Sequence, residues 1–126
     1  MPVKYNIREH NNPSNPLAPK KYYPSIKASG RCDQRQLAEL IATMSTISSA
    51  DTMAMLEALL KVIPNELAKG NVVDLGDFGS FWLKVNAEGA ETTEDVRASQ
   101  IHRLMPHFKP GKEFKKALKS IEFKKA

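Results

Sequence analysis

The sequence predicts an α+β fold in which two central helices are flanked by β-strands. Three observations predict it. Apolar and polar residues alternate over residues 3–8, apolar residues recur at helical spacing between residues 37 and 67, and a glycine-bearing bend at residues 76–81 separates two further extended segments. At 126 residues and 41% hydrophobic content, the chain suits one compact domain with a modest core, of a size that often gains stability by forming oligomers.

The N-terminal segment is predicted to form two β-strands joined by an irregular loop. In the first strand, apolar residues occupy every second position: Val3, Tyr5 and Ile7. Residues 11–19 then hold three prolines and three asparagines, which are typical of a loop or wide turn. An extended pattern resumes over residues 20–29, where Pro24 favours an edge position because proline has no N–H to donate to a neighbouring strand.

Two helices are predicted in the centre of the chain. The first begins with Asp33 and Gln36, the residue types of a capping box. The second begins after Ser48 and ends at Gly70, and Pro64 within it predicts a kink or a locally unpaired carbonyl. Its apolar face is broader than one small chain can easily hide and comprises Thr52, Met55, Leu56, Leu59, Leu60, Ile63 and Leu67. That breadth predicts a partner chain.

The C-terminal half predicts a long β-hairpin followed by a third helix. Two strands meet at the bend of residues 76–81, and another extended segment is expected from Val96 to Met105. Pro106 and Pro110 then precede a helix with Phe114, Leu118 and Ile121 on its apolar side and Lys112, Lys115, Lys116 and Lys119 over much of the rest. A helix start flanked by lysines suits phosphate oxygens, and the alternative is a solvated lysine face.

Positive charge is concentrated at the two ends of the chain. Residues 1–31 carry six Lys or Arg and one Glu, and residues 106–126 carry seven Lys and two Glu, so each end has a net charge of +5. Residues 32–105 carry six basic and eleven acidic side chains, a net charge of −5. This distribution favours a polyanionic partner on a defined surface, although basic ends that only keep the protein soluble are the alternative interpretation.

The sequence offers no pattern typical of an enzyme, a metal site or a cofactor site. Cys32 is the single cysteine, and His10, His102 and His107 have no acidic or cysteine partners at ligand spacing. Neither a phosphate-binding glycine loop nor a dinucleotide fingerprint is present. No membrane-spanning run or secretory leader is recognisable, so we expect a cytoplasmic protein without cofactor, membrane partner or small-molecule substrate.

Several blocks together resemble the HU and integration-host-factor superfamily. Residues 33–81 resemble its N-terminal half without a gap, and GNVVDLGDFGSF at residues 70–81 is similar to the family pattern of Gly, Val-x-Leu and Phe-Gly-x-Phe. PHFKPGKEFKKAL at residues 106–118 resembles the family's closing helix. With its N-terminal extension, the whole chain resembles the extended HU-like proteins of Bacteroidetes. We therefore expect an extension over residues 1–31, an HU-like domain over residues 32–126 and an arm at about residues 84–104.

The resemblance implies a homodimer that binds double-stranded DNA. Two chains would interlock their helices as a base, and their antiparallel sheets would form a saddle with protruding arms that enter the minor groove. Carried over by position, Lys84, Arg97 and Arg103 would lie on the arm strands, and Phe78 and Phe81 would belong to the core or dimer interface. The remaining expected DNA contacts flank the saddle: Lys109, Lys112, Lys115, Lys116 and Lys119.

The arm departs from the family pattern. The family's arm tip carries arginines and a proline wedge, whereas residues 86–95 carry four acids, no base and no proline. The wedge therefore cannot be carried over, and strong DNA bending is not expected. Such an arm would pack differently, contact a protein or gate the saddle. Two functions stay open: a non-sequence-specific, nucleoid-associated DNA-binding protein, and a protein-interaction module that retains the HU scaffold.

Overall fold

A computed structural model describes residues 2–11 and 13–126 of the chain. Its elements confirm the predicted α+β class. The strands are β1 (Val3–His10), β2 (Lys21–Ile26), β3 (Val73–Asp74), β4 (Gly79–Ala87), β5 (Ile101–Pro110) and β6 (Phe123–Lys125). The helices are α1 (Gln34–Thr43), α2 (Ser49–Ala68) and α3 (Lys112–Leu118), and short 3₁₀ turns cover Gly76–Phe78, Thr93–Asp95 and Ala98–Gln100. The strands form two three-stranded sheets, which we call the N-terminal sheet and the hairpin sheet.

The N-terminal sheet has the strand order β2-β1-β6. β1 and β2 pair antiparallel, as predicted for the extension, and Pro24 lies on the edge strand opposite Ile7. In the predicted loop between these strands, Asn12 lies outside the described residues, as does Met1 at the start of the chain. β6 was not predicted: it pairs parallel with β1, with Phe123 beside Val3. The sequence therefore indicated the hairpin but not its third strand.

The C-terminal helix is shorter than predicted. α3 ends at Leu118 and Lys119 caps it, so Ile121 lies beyond the helix and not on its apolar side. The Ile121 N–H still donates to the Leu118 carbonyl at 3.4 Å, after which the chain enters β6. Pairing with β1 satisfies backbone groups that a longer helix would otherwise have satisfied internally.

Both central helices begin where their sequences predict, and the second also ends there. The Asp33 carboxylate accepts from the Gln36 N–H at 2.9 Å, and the Gln36 side chain accepts from the Asp33 N–H at 3.1 Å. The Ser48 hydroxyl accepts from the Asp51 N–H at 3.1 Å, which caps α2. α2 continues through Pro64, whose missing N–H leaves one helical hydrogen bond unmade. Gly70, at φ 86°, ends the helix in the left-handed region that favours glycine.

The hairpin sheet has the strand order β3-β4-β5, and all of its pairings are antiparallel. Its last strand differs from the prediction at both ends. β5 begins at Ile101 and not at Val96, because residues 93–100 fold into 3₁₀ turns. It also continues through Pro106, which was expected to break the extended segment and instead lies opposite Leu83. β5 is an edge strand, so proline's missing N–H costs it no ladder bond on the open side.

A single chain buries little of its apolar surface. Among the described residues, Ala38 and Leu67 are the buried hydrophobic residues, and Thr52 is buried with them. The rest of the broad apolar face of α2 stays accessible: Met55 is 52% exposed and Leu60 is 74% exposed. Phe78 and Phe81, expected in the core or interface, lie in a cluster with Phe108 and Phe114, and Phe78 is still 54% exposed. Such a chain needs a further surface to cover it.

Candidate nucleic-acid interface

The hairpin sheet has one apolar and one polar face. Residues paired across antiparallel strands share a face, and successive residues of one strand alternate between faces. Phe81 pairs with Phe108 and Leu83 with Pro106, which makes one face apolar. The other face carries Ser80 opposite Lys109, Trp82 opposite His107, Lys84 opposite Met105 and Asn86 opposite Arg103. Three of the predicted DNA contacts, Lys84, Arg103 and Lys109, therefore lie on one face of the hairpin.

Four further predicted contacts lie together on α3. Lys112, Lys115, Lys116 and Lys119 each lie three or four residues from two of the others, so they form one stripe along the helix and its C-cap. Phe114 and Leu118 fall on the opposite side, and the Phe114 ring meets Phe78 and Phe108 at centroid distances of 5.6 and 5.9 Å. These aromatic contacts hold the apolar side of α3 against the protein and leave the lysine stripe facing outward.

A groove joins the lysines of the sheet to those of α3. It is lined by Gly76, Gly79, Ser80, Lys109, Pro110, Gly111, Lys112 and Lys115. Two glycines permit this close approach. A Cβ on Gly111 would overlap the backbone of Asp77, and a Cβ on Gly79, which has φ 145°, would overlap Lys109 and the Phe108 ring. We use the name basic strip for the basic residues of the polar face and of α3, which are Lys84, Arg103, Lys109, Lys112, Lys115, Lys116 and Lys119.

No ion pair among the described residues includes a member of the basic strip. In the described part of the chain, the ion pairs join Lys20 to Glu9, Lys69 to Glu66 and His102 to Glu88. Asp74 shares the polar face through its pairing with Ser80, but its carboxylate accepts from the Gly76 N–H at 2.8 Å. The described residues thus leave the seven basic side chains of the strip without an ion-pair partner, which favours an anionic ligand.

Arg97 was expected on an arm strand, and the structure contradicts this: it lies outside both strands of the arm. It directly precedes the 3₁₀ turn Ala98–Gln100, and its guanidinium donates to the carbonyls of Glu94 and Val96 at 2.6 and 3.1 Å. The Glu88 N–H donates to the Gln100 carbonyl at 3.1 Å, which closes the end of the hairpin. Because the tip folds onto itself in this way, the Arg97 guanidinium is engaged by carbonyls of the tip.

The family follows from a match over nearly the whole chain. A family model described as an HU domain fused to a winged helix-turn-helix, immunoglobulin or glycine-rich motif matches residues 1–125. The chain belongs to this HU family. The predicted membership of the wider HU and integration-host-factor superfamily is thus confirmed.

Relatives agree with this assignment, and a solved structure shares the fold. The beta subunit of integration host factor from Tolumonas auensis is 27% identical over 84 residues, which are 65% of this chain and 90% of that protein. The same subunit from Pseudomonas aeruginosa is 33% identical over 85 residues, 64% of this chain and 88% of the relative. A solved Bacteroides vulgatus protein, assigned as a bacterial DNA-binding protein, matches with a TM-score of 0.64 at 12% identity. That match covers 98% of this HU chain but 47% of the solved chain, and it concerns the fold alone.

Two aromatic residues of the polar face were missed by the sequence interpretation. Trp82 stacks on His107 with ring centroids 5.9 Å apart and 27° between planes, between the Lys109 and Lys84 positions of this HU chain. The available signal was the alternation of Ser80, Trp82 and Lys84. It could not be used without the register of β5, which places His107 opposite Trp82.

Residues 2–11 and 13–126 carry neither a metal-binding cluster nor a membrane-spanning helix. No group of three or more histidine, cysteine or acidic side chains lies within reach of a common metal ion there. No helix in those ranges combines the length and apolarity needed to cross a membrane.

The carboxylate of Glu66, at the end of α2, has a lowered pKa. Hydrogen bonds from Asn71 and Lys69, together with the Lys69 charge, lower it because they favour the ionised form.

Proposed function

We propose that this HU chain binds double-stranded DNA through its backbone phosphates, with the basic strip as the contact surface. The observation that carries the proposal is the groove lined by Lys109, Lys112 and Lys115, in which Lys109 shares the polar face of the hairpin sheet with Lys84 and Arg103. Lysines that neutralise phosphates release condensed counterions, which supplies affinity without reading base sequence. The role is architectural, involves no catalytic step and places the protein on the bacterial nucleoid in the cytoplasm. Integration host factor relatives support it.

We propose that the binding species is a homodimer whose helices interlock. The exposed apolar residues of α1 and α2, among them Leu40 at 54%, Met55 at 52% and Leu60 at 74%, support a second copy as the missing cover. A twofold axis would present two basic strips to one duplex, since the same patch occurs on both subunits of such a dimer. The division between an extension at residues 1–31 and an HU-like domain from residue 32 also stays a proposal.

The arm is proposed to lie against DNA without a kinking wedge. Its tip carries Glu88, Glu91, Glu94 and Asp95, and residues 86–95 hold no proline. Acidic side chains repel phosphates, so the tip of the arm points away from the backbone while Lys84 and Arg103 nearer the base of the arm contact it. A DNA contact by Arg97 stays a prediction, since the guanidinium is bonded to the arm's own carbonyls in the free chain.

The test is fluorescence anisotropy with labelled duplexes of ~30 base pairs and two unrelated sequences, titrated at several salt concentrations. We expect equal affinity for both sequences and a steep loss with salt. Each lost phosphate contact lowers the slope of log binding constant against log salt concentration by ~0.9. Replacing both Lys112 and Lys115 with Gln should therefore lower this slope by ~1.8 per chain. The matched control, Arg35→Gln with Lys61→Gln, removes the same charge from α1 and α2. Absence of duplex binding at low salt, or equal losses in both variants, would overturn the proposal.

One observation favours the alternative of a protein-interaction module. The acidic tip is ordered by hydrogen bonds of its own, including Thr92 to Asp95 at 2.8 Å, and so presents a defined anionic surface. A basic protein partner fits such a surface. If the protein fails to bind duplex at low salt but remains folded, that alternative is favoured.

A further inference from the structure

The N-terminal sheet also has two chemically different faces. Val3, Tyr5 and Ile7 share one face with Ile26 and Phe123. This face is mainly apolar, although Glu9 and Lys125 also lie on it. The alternate residues occupy the other face, which is basic and carries Lys4, Arg8, Lys21, Lys27 and Lys124. The HU-like contacts described above include none of these residues.

Three of these lysines form a row across the sheet. The Lys27 N–H donates to the Lys4 carbonyl at 2.8 Å, which continues the register of β1 and β2, and Lys4 is paired with Lys124 of β6. Neighbouring strands lie ~4.8 Å apart, so the three side chains leave the sheet within ~10 Å of one another. We call Lys27, Lys4 and Lys124 the lysine row.

One acidic residue falls on the side of this row, but no ion pair among the described residues joins it to the lysines. Glu9 lies on the apolar face and is paired with Lys20 at 3.2 Å. Glu122, just before β6, is the nearest acid in sequence, and by alternation it falls on the side of Lys124. Within the described residues, no ion pair includes a member of the row. Like charges on adjacent strands repel one another and destabilise a sheet. A bound polyanion would offset this repulsion.

We propose that the lysine row is a second phosphate-binding surface that engages the same DNA duplex as the basic strip. This inference rests on the proposed function. The two surfaces are joined by a short connection, because Lys124 follows Lys119 of the strip by five residues. Five extended residues span at most ~18 Å, which corresponds to about five base pairs of duplex. The connection is therefore short enough for one duplex to contact both surfaces.

The test compares salt slopes of duplex binding for the wild type and a triple Lys4→Gln, Lys27→Gln, Lys124→Gln variant. Three lost phosphate contacts lower the slope by ~2.7 per chain. A pair of single variants controls for bulk charge, since Lys124 and Lys125 are neighbours on opposite faces of β6. We expect Lys124→Gln to lower the slope by ~0.9 per chain and Lys125→Gln to leave it unchanged. Thermal unfolding without DNA should give the triple variant an equal or higher Tm, because repulsion within the row is removed.

The outcomes separate this inference from the proposed function. If the wild type does not bind duplex, the proposed function fails and this inference fails with it. If the wild type binds and the triple variant keeps its slope, only the lysine row is refuted. Equal effects of Lys124→Gln and Lys125→Gln also refute it, because they indicate overall charge and not one face. Loss of binding to anionic phospholipid vesicles, with the DNA slope unchanged, would assign the row to a membrane surface and overturn the proposal.

Discussion

Replacing Leu60 with Ala tests whether a second copy covers the helices. Leu60 lies on α2 and is 74% exposed in the single chain. If the chain functions alone, the substitution removes a solvated side chain and alters the free energy of unfolding by no more than ~0.5 kcal/mol. If a partner buries Leu60, the loss is that of a core leucine, ~2–5 kcal/mol for each buried copy. We expect the larger value.

Leu17→Ala is the matched control. Leu17 lies in the loop between β1 and β2 and is 94% exposed. The same substitution there should therefore change the free energy of unfolding by no more than ~0.5 kcal/mol. The assay is urea unfolding followed by circular dichroism at several protein concentrations. For a dimer that unfolds to two chains, each tenfold dilution also reduces the apparent stability by ~1.4 kcal/mol. Equal effects of the two substitutions, with no dependence on concentration, would refute the burial of α2 against a second copy.

Three further predictions concern local structure. Gly111→Ala should cost ~1–3 kcal/mol in unfolding free energy because its Cβ meets the Asp77 backbone, whereas Gly89→Ala, with nothing within 4 Å, should be neutral by the same urea assay. Asp33→Ala removes the capping box and should cost ~1 kcal/mol, lowering the Tm in calorimetry. Because the pKa of Glu66 is lowered in the folded chain, its carboxylate stabilises the fold at pH values above the unfolded pKa. This stabilisation is lost as the pH falls through the folded pKa. Glu66→Gln should therefore reduce stability at neutral pH and flatten the acid limb of a Tm-versus-pH curve.

Features that depend on neighbouring residues were predictable from the sequence. Asp33 and Gln36 lie within one helical turn, so their reciprocal bonds follow from residue type and spacing. The lysine stripe of α3 follows in the same way from intervals of three and four residues. Pro24 on an edge strand was also predicted correctly, because its missing N–H restricts it wherever the partner strand lies.

Features that depend on pairing between distant parts of the chain were not predictable from the sequence. Pro106 has the local character of a breaker, and only the position of β5 at the sheet edge makes it acceptable within a strand. The meeting of Lys109 with Lys112 and Lys115 requires Gly111 to touch the backbone of the bend at Gly76–Phe78, more than thirty positions earlier in the chain. β6 has three residues and no pattern of its own, so its role appears only beside β1.

The parallel pairing of β1 with β6 imposes an order on folding. Val3 and Phe123 are neighbours in the sheet, yet 119 residues lie between them in the chain. During synthesis the hairpin of β1 and β2 emerges early, but one edge of β1 stays open until the whole of the intervening chain has been made. Closing so large a loop is slow, so we expect the N-terminal sheet to be completed after the helices and the hairpin sheet have formed. The open edge of β1 is then the surface at which newly made chains are most prone to pair wrongly with one another.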